Sequence, residues 1–261
     1  MKIIVCIKQV PDTTEVKLDP KTGRLIRDGV PSIINPDDKN ALEEALRIKD
    51  ENPDTTVTVV SMGPPQADVA MREALAMGAD EAILISGREF GGSDTWATSY
   101  IIATAIKKIP DYDIIFCGRQ AIDGDTAQVG PQIAEQLNIP QITYVQKLDI
   151  EGDKVIVQRQ LEDGYTVVEA KMPVLLTAIK ELNTPRYMTP KGIFEAYNKT
   201  VQVWGFNDVP VDAEKIGLKG SPTNVNRTFS PEAKGKGIML EGADKETVKT
   251  LIAKFDEKHL L

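Results

Sequence analysis

Gly118-Arg119-Gln120-Ala121-Ile122-Asp123-Gly124-Asp125-Thr126-Ala127-Gln128-Val129-Gly130-Pro131 is the stretch on which the fold turns. Ile114-Ile115-Phe116-Cys117 leads into it, and Ile133, Ala134 and Leu137 follow at helical spacing. The order is strand, glycine-bearing loop, helix. In an open α/β sheet, ligands gather outside the carboxyl ends of the strands, where backbone N–H groups and helix N-termini can hold phosphate. Gly118, Gly124 and Gly130 permit positive φ and let backbone approach a ligand closely. The helix is predicted to start at Gly130-Pro131, with proline at its first position, because proline deeper inside would break it. About a dozen residues then remain as a cradle, and loops of that length tend to be functional. Taken alone, the loop fits an ordinary strand-to-helix connection equally well.

Towards the N-terminus, Ile3-Ile4-Val5-Cys6-Ile7 is a continuous apolar run, as expected of a strand buried on both faces of a parallel sheet. Lys8-Gln9-Val10-Pro11-Asp12 ends it without the Ser-Gly-Gly run of an ATP-pyrophosphatase phosphate loop. From Glu15 to Ile34 the pattern is weak, with turns at Asp19-Pro20-Lys21-Thr22-Gly23 and Asp28-Gly29 that suggest a hairpin-like excursion. Asn35-Pro36-Asp37-Asp38 then opens a helix: a capping side chain, proline for the first turn, and aspartates facing the positive end of the dipole. Leu42, Ala45, Leu46 and Lys49 continue it. By itself this segment reads as capping alone. Val57-Thr58-Val59-Val60 is the second strand and runs into Ser61-Met62-Gly63-Pro64-Pro65, another strand-end loop. A helix over Gln66–Met77 sets Ala67, Met71, Ala74 and Gly78 on one face, a stripe suited to packing on a sheet. Ala82-Ile83-Leu84-Ile85 is the third strand, and Ser93-Asp94 starts a helix through Lys107. This alternation predicts a doubly wound, mainly parallel α/β sheet. No G-x-G-x-x-G follows the first strand and no G-x-x-x-x-G-K-[ST] occurs, which disfavours a conventional dinucleotide fold or a P-loop enzyme.

After Pro140 the pattern changes to an antiparallel meander: Ile142 to Asp149, Lys154 to Leu161 and Tyr165 to Ala170, joined by Glu151-Gly152-Asp153 and Glu162-Asp163-Gly164. Pro173-Val174-Leu175-Leu176-Thr177-Ala178 is a further buried strand. From Val201 to about Gly242 no period persists, and Asp244 to Lys258 recovers an amphipathic helix. The anchors Trp204, Phe206, Ile216, Leu218 and Phe229 suggest an arm lying on another subunit. The expected division is therefore an α/β domain over 1–200 and a C-terminal arm and helix over 201–261, packing on a partner. Cys6 and Cys117 both fall in predicted buried strands, so neither a disulfide nor a metal site is expected. With His259 as the single histidine, a histidine-based triad or zinc centre has no basis. The net charge of −8 argues against phosphate-directed binding of nucleic acid. No apolar run approaches the roughly 20 residues of a bilayer span and the N-terminus has no signal-peptide pattern, so a cytoplasmic protein is expected.

Together these segments resemble the β subunit of the electron transfer flavoproteins. The resemblance runs over essentially the whole chain: Val5-Cys6-Ile7-Lys8-Gln9-Val10, Asn35-Pro36 with Ala41-Leu42-Glu43-Glu44-Ala45, Ser61-Met62-Gly63-Pro64, Ala74-Leu75-Ala76-Met77-Gly78-Ala79-Asp80, Gly118-Arg119-Gln120-Ala121-Ile122-Asp123, and Leu182-Asn183-Thr184-Pro185-Arg186-Tyr187. Val157-Gln158-Arg159, Glu162-Asp163-Gly164 and Pro173-Val174-Leu175-Leu176-Thr177 nearly complete the family's signature, with Thr166 standing where an acidic or amide side chain is usual. The resemblance implies a Rossmann-like, adenine-nucleotide-binding sheet and an α-subunit partner. Its pocket maps onto Cys6, Asn35, Pro36, Asp37, Asp38, Met62 and the run Gly118, Arg119, Gln120, Ala121, Ile122, Asp123, Gly124, Asp125, Thr126, Ala127, Gln128, Val129. The Asp123–Val129 backbone and the Thr126 hydroxyl are assigned to the phosphates, and the surroundings of Met62 and Cys6 to the adenine. Oriented N–H groups suffice to hold the anion.

The family divides on what fills this pocket. Housekeeping members hold AMP as a structural ligand and carry electrons on one FAD in the α subunit. Flavin-bifurcating members hold a second FAD, which takes hydride from NADH and divides the electrons between high- and low-potential acceptors. AMP-type members carry Asn and Thr where Ala127 and Val129 stand here, so Gly-Asp-Thr-Ala-Gln-Val-Gly-Pro is similar to the bifurcating branch, and Gly124 and Ala127 leave room near the phosphates. The implied cofactor is FAD, with AMP as the alternative. The implied redox partners are NADH, an acyl-CoA dehydrogenase, and ferredoxin or flavodoxin. Arg186, Tyr187, Met188, Thr189 and Pro190 begin the family's partner-recognition loop, with Pro190 where an anchoring leucine is usual. Without the resemblance, a universal-stress-like adenine-nucleotide binder or hydrolase stands as a rival. It calls for a basic or metal-binding group near the phosphates, which the sequence lacks. No side chain stands out as a general acid or base, as befits a chain whose redox chemistry belongs to a flavin.

Overall fold

Along β1 (Lys2–Cys6), Ile3 and Val5 join one apolar cluster while Ile4 joins another, and all three are buried. That split is why the run is continuously apolar: both faces of the strand are covered. The computed structural model describes residues 1–12, 31–226 and 235–261. The turns expected at 19–23 and 28–29, and Phe229, lie outside the described residues.

The chain continues through β2 (Gln9–Pro11) and β3 (Ser32–Ile34), which pair antiparallel in a small separate sheet. Then come α1 (Pro36–Glu51), β4 (Thr56–Met62), α2 (Asp68–Met77, after a short 3-10 turn), β5 (Glu81–Ile85), α3 (Thr95–Ile106) and β6 (Ile114–Gly118). They are followed by α4 (Val129–Leu137), the meander β7 (Gln141–Glu151), β8 (Lys154–Leu161) and β9 (Gly164–Lys171), and β10 (Val174–Ala178). α5 (Pro190–Asn198), β11 (Val201–Trp204), α6 (Gly217–Gly220) and α7 (Lys245–Glu257) complete the chain.

The main sheet runs β11-β5-β4-β1-β6-β10-β7-β8-β9, parallel from β11 to β7 and antiparallel through the meander. α1 and α2 pack on one face through Leu42, Leu46, Met71 and Ala74, and α3 and α4 on the other through Ile101, Ala105, Ile133 and Ala134. The mainly parallel α/β sheet with helices on both faces and a meander at one edge thus follows the alternation read from the sequence. Strand order proceeds outward from β1 to β5, then returns to the other side of β1 as β6. The carboxyl ends of β1 and β6 therefore flank a topological switch point, where open α/β sheets form their ligand crevice.

The structure differs from the sequence reading at three points. β11 follows residue 200 and forms the sheet's edge, and the compact unit runs Met1–Val225, with Asn226–Leu261 as a second unit. Of the anchors read as an intersubunit arm, Ile216 is buried in the chain's own core, Trp204 and Phe206 pack against it, and Leu218 is exposed. α4 begins at Val129, not Gly130, so Pro131 is its third residue. That is still within the first turn, where a missing N–H breaks no helical bond. Among the described residues no helix is long and apolar enough to cross a membrane.

Candidate functional site

Asp38, in the first turn of α1, sits at the switch point. Its Oδ2 accepts from Lys8 N–H at 2.8 Å, just past β1, and its Oδ1 from Gly118 N–H at 2.9 Å, at the end of β6. One carboxylate thereby ties two strand ends to a helix N-terminus. Burial outweighs these hydrogen bonds and pushes its pKa up from 3.8 to about 7. Gly118 is the residue that permits the approach: a Cβ there would lie 2.6 Å from the Asp38 backbone nitrogen and 2.7 Å from the Asp37 carbonyl carbon.

Asn35 precedes α1 but makes no side-chain cap. Fully buried, it donates through Nδ2 to Gln120 O at 2.8 Å and accepts at Oδ1 from Ile122 N–H at 3.0 Å. The capping role read from the sequence is corrected: this amide clamps the long loop instead. Lys8 Nζ reaches Asp123 at 2.6 and 2.9 Å, pinning the middle of the same loop to the end of β1. Arg119 Nε lies 3.3 Å from Asp37 Oδ2 without a directed hydrogen bond, a charge contact, and its guanidinium stands 6.0 Å from the Tyr144 ring centre. Burial raises the Asp37 pKa against the pull of Arg119. Both cations nearest the loop thus have carboxylate partners.

In front of this scaffold lies a cleft of about 410 Å³. Cys6, Asp38, Met62, Gly118, Arg119, Gln120 and Ala121 line it, with Gly124 to Val129 along one wall. Asn35, Pro36, Asp37, Ile122 and Asp123 are not among its lining residues; Asn35 and Asp123 hold the loop from behind. Gly124 and Asp125 bond their N–H groups back to Ala121 O. Among the described residues, the N–H groups of Thr126, Ala127 and Gln128 have no backbone or side-chain acceptor. Those of Val129 and Gly130 lie in the first helical turn, which lacks intrahelical partners. Asp125 (φ 54°) and Ala127 (φ 52°) take the left-handed conformation, while Gln128 is right-handed. A left-handed residue beside a right-handed one, as at Ala127 and Gln128, is the backbone pairing from which anion nests are made.

The glycines therefore act differently from expectation, for none of Gly118, Gly124 and Gly130 has positive φ. Gly118 admits α1, Gly130 admits β10 (a Cβ would sit 2.9 Å from Thr177 Cγ2), and Gly124 faces open space. The opposite wall was missed. Ser93, Asp94, Thr95 and Thr98 bring the N-terminus of α3 to the cleft, and Thr95 Oγ1 donates to Gln128 Oε1 at 3.0 Å. Asp94 caps α3 by accepting from Ala97 N–H and also holds Thr223 through its N–H and Oγ1. Burial raises its pKa, but these bonds prevail and hold it low. The signal was present: Ser93-Asp94 opens a helix after a strand end, as Gly130-Pro131 does.

The electron transfer flavoprotein domain matches residues 22–209. The chain is 62% identical to the electron transfer flavoprotein subunit beta of Thermoanaerobacterium thermosaccharolyticum, over 100% of both chains. It is 58% identical to the caffeyl-CoA reductase-Etf complex subunit CarD of Acetobacterium woodii, again over 100% of both. The acryloyl-CoA reductase electron transfer subunit gamma of Anaerotignum propionicum is 53% identical, with 100% of both chains covered. This chain belongs to the electron transfer flavoprotein β-subunit family.

The stretch that resembles the electron transfer flavoprotein recognition loop does not stay a loop. Thr189 caps α5 by accepting from Gly192 N–H, and Pro190 is the first residue of that helix, the position proline favours. Arg186 turns inward and grips Glu43 through its backbone N–H, Nε and Nη2, and Asp50 through Nη2 at 2.7 Å. Those bonds raise its pKa. Tyr187, at 95% exposure, and Phe194, at 79%, are what the segment presents outward, with Met188 partly exposed.

Proposed function

We propose that this electron transfer flavoprotein β subunit holds FAD in the cleft between the 118–130 loop and the N-terminus of α3. In this reading it takes electrons from NADH and passes them to the α-subunit FAD and a low-potential acceptor such as ferredoxin or flavodoxin, serving an acyl-CoA dehydrogenase. The observation that carries this reading is the run of amides from Thr126 to Gly130 along the cleft wall, without protein acceptors among the described residues, beside open space at Gly124. Amide groups of this kind hold phosphate without a charged side chain. Cys6, Met62 and Ile102 give the cleft apolar lining suited to a flat base. Bound flavin supplies hydride acceptance and electron transfer, and the protein supplies position and electrostatics. The Gly-Asp-Thr-Ala-Gln-Val-Gly-Pro form of the loop supports FAD over AMP. The Tyr187 and Phe194 surface supports docking of a dehydrogenase there, in keeping with the reductase complexes named for two relatives.

A second reading, structural AMP with electrons carried on the α-subunit FAD alone, draws on the cleft volume. About 410 Å³ lies at the low end of ligand sites, roughly 300–1,000 Å³. The test is to denature the co-purified αβ complex and quantify released FAD and AMP per heterodimer. FAD beyond the α subunit's own equivalent, with no AMP, is the expected result. One equivalent of each would replace the first reading with the second. Neither nucleotide, even after both are added back, would overturn the placement of a nucleotide site in this cleft.

A further inference from the structure

β1 and β6 run parallel in register, with Ile3 opposite Ile114, Ile4 opposite Ile115 and Val5 opposite Phe116. The next step places Cys6 opposite Cys117. Cys117 belongs to one apolar cluster and Cys6 packs against that same cluster, and both line the cleft. Neither is in a disulfide, and among the described residues no third His, Cys, Asp or Glu is placed to complete a metal site. Register neighbours on adjacent strands lie about 4.8 Å apart, inside the Cα separation of about 4.4–6.8 Å that disulfides take. We infer that Cys6 and Cys117 are an oxidisable pair, which a peroxide-class two-electron oxidant entering the cleft converts to a disulfide joining β1 to β6.

Cys6 is partly exposed to the cleft and meets the oxidant first. Its sulfur attacks one peroxide oxygen, the O–O bond breaks, and the departing hydroxide leaves as water with the thiol proton. Cys117, buried beneath, then attacks the Cys6 sulfenic sulfur. The S–S bond forms as the S–O bond breaks, and hydroxide leaves as water with the Cys117 proton. Two thiols and one peroxide thus yield one disulfide and two waters. The neighbouring Cys6 thiol, then burial, then the Asp38 carboxylate raise the Cys117 thiol above its ordinary pKa. Burial is what keeps Cys117 from meeting peroxide first, and it gives up its proton as it attacks the Cys6 sulfenic sulfur.

The oxidant reaches Cys6 while no nucleotide fills the cleft, whichever nucleotide the cleft takes. The full chain, purified with its partner subunit under reducing conditions, stripped of bound nucleotide and desalted, is treated with hydrogen peroxide, denatured, alkylated with N-ethylmaleimide and digested with trypsin. The expected result is loss of both alkylatable thiols together, with peptide Ile3–Lys8 bridged to Ile109–Arg119 and both thiols restored by dithiothreitol. In Cys117→Ser the bridge is lost and Cys6 gains oxygen instead. Oxygen on Cys6 with Cys117 still alkylatable in the unsubstituted protein overturns the inference. So does a bridge found only between chains, or two thiols untouched by peroxide that oxidises free cysteine. The measurements on the unsubstituted protein decide the matter even if the variant fails to fold.

Discussion

At the scale of single residues, Asn35 and Asp38 hold the site together by opposite means. Asn35 satisfies one backbone acceptor and one backbone donor of the loop while neutral and buried. Asn35→Ala leaves both unpaired, and the expected loss is about 2 kcal/mol in urea unfolding. Asn35→Ser separates the two possible roles, since serine caps a helix as well as asparagine but is too short to span the loop. The clamp therefore predicts no rescue by serine. Asp38 does its work as a buried acid. Its folded pKa, about 7, exceeds its ordinary 3.8, so between those values the native state keeps a proton that the unfolded chain releases. Stability is then expected to fall as pH rises through that window, by at most about 4 kcal/mol. Asp38→Asn cannot titrate and introduces only a constant offset where its NH₂ faces a donor. The difference between the two unfolding profiles from pH 2 to 9 should flatten below pH 4 and above pH 7, and a parallel pair of profiles would refute the assignment.

At the scale of elements, α1 organises more than its apolar face suggested. Leu42, Ala45 and Leu46 face the sheet as the spacing predicts, but Asn40, Glu43 and Glu44 are also buried. The cover is the segment from Leu182 to Arg186: Asn183 exchanges hydrogen bonds with Asn40 and donates to Glu44, while Arg186 holds Glu43. Burial raises the Glu44 pKa against these bonds. The resemblance between Ala41-Leu42-Glu43-Glu44-Ala45 and the family, and that of Leu182–Tyr187, are thus two sides of one contact. Removing the guanidinium strands a carboxylate that is 6% exposed. Arg186→Ala is expected to destabilise by about 3 kcal/mol in chemical unfolding. Arg186→Lys should recover less than half of that, because an ammonium cannot reproduce the forked contact. An unchanged midpoint in Arg186→Ala would return the residue to the docking surface assigned to it from sequence.

At the scale of the molecule, the switch point between β1 and β6 gathers segments far apart in the chain: the loop after β1, the start of α1, the start of α3 and the long loop before α4. Among the described residues, both apolar clusters draw their members from no later than Ile216, and the first compact unit ends at Val225. A chain ending at Val225 is therefore expected to unfold cooperatively, with a midpoint within about 1 kcal/mol of the full chain's. A broad, non-cooperative transition would show that 226–261 is needed for the fold.

Elements with a strong local period, from the Ile3–Ile7 strand to the meander, were legible because alternation and continuous burial leave their mark within a few residues. Strand-end loops as the place for a ligand were legible too, because chain order alone puts Met62 and the 118–129 stretch after strands. What a residue faces across the fold was not. The Asn35 amide looks like a cap until the loop some 85 positions away lies against it. Gly118 looks like a flexible hinge until α1 is packed upon it, and the left-handed positions fall on Asp125 and Ala127, which no composition rule singles out. The sequence by itself determined the strands from β1 through the meander that carry a period, most helices and the family. Only the tertiary structure decided which side chains close the site, because those contacts join residues whose spacing in the chain carries no period, and geometry alone brings them together.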